Sequence, residues 1–133
     1  MAEFLILRHE EGVRLNPDRL VELYARMGEA GAEDAVARAV ESIVSRLTEI
    51  DRHAEAGDGA ALIGSTERLS AIADEIGMCT LAEVARDVTD TTHWGDRAGQ
   101  GATLARLSRI ADRSLAAVWG LRPKLAADYL RYN

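Results

Sequence analysis

Over residues 33–56 the apolar side chains Val36, Val40, Ile43, Leu47 and Ile50 return every third or fourth position, and no breaker interrupts them before Gly57-Asp58-Gly59. A period near 3.6 gathers them into one stripe along an α-helix, whereas a strand would scatter them over two faces. The run predicts a long amphipathic helix, and the rest of the chain has to cover its stripe. The covering side chains have to be small, because 47% of the chain is hydrophobic while only two Trp, three Tyr and one Phe are present. Ala, Leu, Ile and Val at helical spacing imply closely packed helices, so the fold class is all-α.

The other segments extend this pattern. Asn16 is placed to cap a helix with Pro17 at its first position, and Leu20, Leu23, Tyr24 and Met27 share one face before Gly28. A helix opening at Asp58 or Gly59 and closing at Gly77 carries Leu62, Leu69, Ala73 and Ile76 inward, with Thr66 beside them. Thr80 and Glu83, three residues apart in TLAE, have the spacing of a capping box, and Leu81, Val84, Ala85 and Val88 follow on one face. After the break HWGDRAGQG, Leu104, Leu107, Ala111, Leu115 and Val118 mark a last long helix, and Pro123 suggests a restart into KLAADYLRYN. The opening MAEFLILRHEEGVRL holds an apolar run too short for its period to separate strand from helix. Four principal helices with short connections favour antiparallel neighbours and an up-down four-helix bundle with additional short N- and C-terminal helices. The expected organisation is a single domain, 1–133, with an N-terminal segment 1–17 and a C-terminal helical extension 123–133.

A net charge of −6 without a Lys/Arg cluster repels phosphate backbones and anionic lipid, so neither nucleic acid nor a membrane is an expected partner. The single Cys79 cannot form an internal disulfide. No apolar run is long enough to span a bilayer and no charged-then-apolar leader is recognisable, so a cytoplasmic location is expected.

Residues able to carry chemistry are few. His9, His53 and His93 fall in three separate segments, none with a second ligand at i+3 or i+4, so neither a metal site nor a cofactor is expected. Cys79 stands at a helix start, where the dipole favours a thiolate, yet no histidine near it in sequence can act as its base.

FLILRHEEG is similar to the strand-plus-RHG signature of histidine phosphatases, in which the histidine is phosphorylated. Glu10 stands where that signature has glycine, and the likeness covers fewer than ten residues of a helical chain too short for that α/β fold. A broader resemblance covers roughly residues 18–121: the chain resembles histidine phosphotransfer (HPt) domains. Members have a long helix ending in a short Gly/Asp loop, then a helix with an exposed phospho-accepting histidine, a Lys-Gly pair and a closing glycine, then a third helix. Here Asp58 matches the helix start, Leu69 the apolar residue two places past the histidine, Gly77 the closing glycine and LAEVAR the next helix. On that frame Glu67 stands at the histidine position, Ser70 at the lysine position and Ala71 at the glycine position. The resemblance therefore implies the scaffold without the phosphotransfer chemistry, because a carboxylate cannot form the labile phosphoramidate.

The helical period bears on Glu67 independently of that resemblance. With Leu62, Leu69, Ala73 and Ile76 inward, Ala60, Gly64, Glu67, Ala71, Asp74 and Met78 fall on the opposite side. Gly64 costs about 1 kcal/mol relative to alanine inside a helix, so small residues around an exposed Glu67 suggest room for another backbone. The expectation is a non-catalytic, HPt-like module whose partner-binding residues are Ala60, Gly64, Glu67, Ser70, Ala71 and Asp74. Its partner would be a response-regulator receiver domain, a histidine kinase or a phosphotransfer protein of a bacterial-type phosphorelay. Glu67 would mimic phosphohistidine or coordinate the receiver's metal, while the lost lysine would remove a complementary positive charge. Two alternatives remain open: a structural or homodimerisation module pairing through the small-residue face, and active phosphotransfer through His53 or His93.

Overall fold

The computed structural model describes the backbone of residues 5–6 and 12–132 and the side chains of residues 12–120. In chain order the elements are β1 (Leu5–Ile6), β2 (Arg14–Leu15), α1 (Pro17–Ala56), α2 (Gly59–Glu75), α3 (Cys79–His93) and α4 (Arg97–Tyr132). The fold is all-α apart from the two-residue strands, which pair antiparallel with Leu5 opposite Leu15 and Ile6 opposite Arg14. Within the apolar run near the N-terminus, ambiguous by period, Leu5 and Ile6 thus form a strand. His9 lies outside the described residues.

Asn16 caps α1 as its position requires, its side-chain oxygen accepting from the Asp18 amide at 3.1 Å. Gly28 breaks the helix, with φ 76° and ψ 173°, a conformation that glycine reaches at little cost. The helix resumes directly after it, earlier than the start at residue 33 that periodicity suggested, and its first turns carry the polar residues Glu29 and Glu33. Leu20 and Tyr24 are buried before the break, whereas Met27 is 42% exposed and does not belong to that inward face. After it Val36, Ile43 and Ile50 are fully buried, with Val40 and Leu47 packed at the margin of the core. Gly57, at φ 69°, ends α1 and gives its amide to the carbonyl of Ala54.

α1 packs mainly on α2 and α4, and α3 mainly on α2 and α4. Their shared core is aliphatic: Leu62, Leu69 and Ala73 from α2, Leu81, Val84, Ala85 and Val88 from α3, and Leu107, Ile110, Ala111 and Val118 from α4. α4 starts at Arg97, so RAGQG lies inside the helix instead of before it. Asp96 makes this possible by accepting from the Gly99 amide at 2.9 Å, as an N-cap does. At the other end α4 runs through Pro123 to Tyr132 without the restart that proline suggested.

The α2–α3 connection departs most from the sequence reading. Thr80 and Glu83 do not form a capping box. Met78 occupies the N-cap position of α3 without a side-chain cap, the Thr80 hydroxyl accepts the Arg14 amide at 2.7 Å, and Glu83 pairs with the Arg14 guanidinium. Met78 is also fully buried, not on the outer side of α2, because Gly77 at φ 78° turns the chain inward and Leu15 forms a bridge with Met78. The Asn16 amide donates to the Gly77 carbonyl at 2.7 Å, and Val13 and Leu15 complete the core here. Residues 13–16 are therefore part of the packed structure and hold the turn between α2 and α3.

Candidate functional site

The candidate face lies on α2, and Asp58 starts that helix by accepting from the Ala61 amide at 3.1 Å. Leu62, Leu69 and Ala73 turn inward as their spacing demands, which leaves Ala60, Glu67, Ala71 and Asp74 exposed and Gly64 half-exposed. Five of the six candidate residues thus share one outward surface. Ser70 stands apart from them: only 5% exposed, its hydroxyl donates to the Ala82 carbonyl of α3 at 3.3 Å and accepts from Arg86 at 2.9 Å.

Arg86 is the residue that the sequence analysis missed. It projects from α3 across to α2, where the same guanidinium nitrogen that reaches Ser70 also reaches the Asp74 carboxylate at 3.2 Å. A positive charge therefore stands beside Ser70, delivered by the neighbouring helix. No spacing within α2 could reveal it, because the donor is 16 residues away in sequence.

Between α2 and α3 an open groove is lined by Glu67, Ser70, Ala71, Asp74, Arg86, Thr89 and Asp90. Its carboxylates outnumber its single arginine. Among the described residues Glu67 makes no hydrogen bond or ion pair, so its charge faces solvent. The helices below it are held in register by paired hydroxyls: buried Thr66 of α2 and half-buried Thr89 of α3 lie 2.6 Å apart, and Thr66 also donates back to its own helix. Gly64 has no structural need to be glycine. A methyl group there would meet only the tip of Arg68, at 3.8 Å, which is ordinary contact.

The other candidates for chemistry are dispersed. His53 lines a pocket where the α1–α2 and α3–α4 connections meet, together with Asp58, Thr92, Asp96, Arg97 and Gln100. His93 ends α3 in an exposed position beside Trp94, which is 72% exposed. Neither histidine lines the Glu67 groove. Cys79 is half-buried at the start of α3, and burial pushes its thiol above the ordinary range against the pull of Arg14, which disfavours a nucleophilic thiolate. The Glu49 carboxyl of α1 is held below its usual range by the Arg46 hydrogen bond, a surface feature of the helix flank. No three His, Cys, Asp or Glu side chains converge as a metal site among the described residues. No described helix is long and apolar enough to cross a membrane.

No family model, no curated protein and no solved structure matches the chain.

Proposed function

We propose that the protein is a non-catalytic interaction module, an up-down four-helix bundle of HPt type that docks a partner on the outer face of α2. The partner class is a receiver domain, a histidine kinase or a phosphotransfer protein, and the effect of binding is to modulate a phosphorelay in the cytoplasm. One observation carries this reading: Glu67 projects unpaired to solvent from the middle of α2, and the HPt resemblance aligns it with that family's phospho-accepting histidine. It is flanked one turn away on either side by Gly64 and Ala71, and Gly64 is a glycine that the fold itself does not require. A carboxylate has no nitrogen to accept the phosphoryl group, which is why the module is read as a binder. The Arg86 guanidinium beside Ser70 keeps a cation on the face, and this revises the expectation that the missing lysine strips the surface of positive charge.

The test combines binding with phosphoryl transfer. Purified receiver domains and histidine kinases from the source cells are titrated into the wild type and into Gly64→Arg and Ala71→Arg. The arginine variants should lose binding by tenfold or more with Tm kept or raised. Incubation with a phosphorylated receiver should leave the wild type without acid-labile phosphate. Labelling at His53 or His93 would move the site to the far end of α3 and replace binding by active transfer. Equal binding by wild type and both arginine variants would remove the α2 face from the interface.

A further inference from the structure

We draw no further inference here: the strongest candidate outside the Glu67 face, the polar pocket at the meeting of the α1–α2 and α3–α4 connections, is built from two helix N-termini already capped by Asp58 and Asp96, and no unpartnered buried side chain lines it among the described residues to indicate what it would hold.

Discussion

The turn between α2 and α3 and the outer face of α2 lie within about ten residues of each other, yet they are built on opposite terms. At the turn almost every group has a partner: Gly77 donates to Asp74 and accepts from Asn16, Thr80 accepts from Arg14, and Val13, Leu15 and Met78 are buried. On the face, Glu67 has no partner among the described residues, Ala71 is exposed and Gly64 has space for a larger side chain. Stability concentrates at the turn, so substitutions there act through folding. The face contributes little to folding, which leaves its side chains free to serve binding.

The sharpest way to break this contrast is Gly77→Ala. A Cβ at this position would stand 2.2 Å from the backbone oxygen of Asn16, and φ is 78°, so both sterics and conformation oppose it. The expected loss is about 3 kcal/mol or more in urea-unfolding stability. A loss under about 1 kcal/mol would mean that the N-terminal segment does not seat on the turn as described.

Leu15→Ala comes next, removing a side chain that is 1% exposed and bridges to Met78. Truncating a buried leucine costs about 2–5 kcal/mol. The same variant has a chemical readout, since burial raises the Cys79 thiol above its ordinary range and so lowers the thiolate fraction at neutral pH. Alkylation of Cys79 should be slow in the wild type, gaining rate only as the pH climbs beyond the usual thiol range, and should quicken when Leu15 is cut back.

Thr80→Ala separates the two readings of TLAE. A capping residue would be missed only by α3, whereas here the lost group is the acceptor of the Arg14 amide. The expected cost is about 1–2 kcal/mol, accompanied by faster hydrogen exchange at the Arg14 amide. Protection at Arg14 equal to wild type would contradict the observed bond.

On the face the sign should reverse. Gly64→Ala should raise stability by up to about 1 kcal/mol, because the helix gains a better former and the added methyl meets no obstacle. Ala71→Arg should stay within about 0.5 kcal/mol of wild type, read from the urea midpoint. Ser70→Lys would behave unlike either, since it forces an ammonium into a nearly closed site beside Arg86. The proposed acceptor position is therefore better tested with Glu67→His alone.

A similarly small effect belongs to Glu83→Gln. The Arg14–Glu83 pair has side chains 40% and 51% exposed, and a pair so open to solvent is worth about 0.2–1 kcal/mol. Its loss should shrink further in high salt, checked by repeating the unfolding in 1 M NaCl.

Helix existence and facing were legible in the chain because they depend on local period. The stripe Val36, Ile43, Ile50 and the inward set Leu62, Leu69, Ala73 follow from 3.6 residues per turn, and so does the outward direction of Glu67. The ends of elements were less legible. RAGQG reads as a break by composition, yet Asp96 satisfies the first turn of α4 and two glycines at about 1 kcal/mol each do not outweigh the packing that follows. TLAE failed for a related reason: the capping-box pattern states what Thr80 and Glu83 are able to bond, and a competitor from residue 14 took both groups.

The sequence by itself determined the helical class, the apolar stripes and the surface on which Glu67 stands, since each is set by neighbours three or four residues away. Only the tertiary structure decided that residues 13–16 fasten the α2–α3 turn, that Met78 is core, that Ser70 is withdrawn from the face, and that Arg86 supplies the positive charge beside it. These contacts join groups 12 to 69 residues apart. A helical period carries no information about such distances, because which distant polar group meets which is settled only when the apolar faces have packed and fixed the helices side by side.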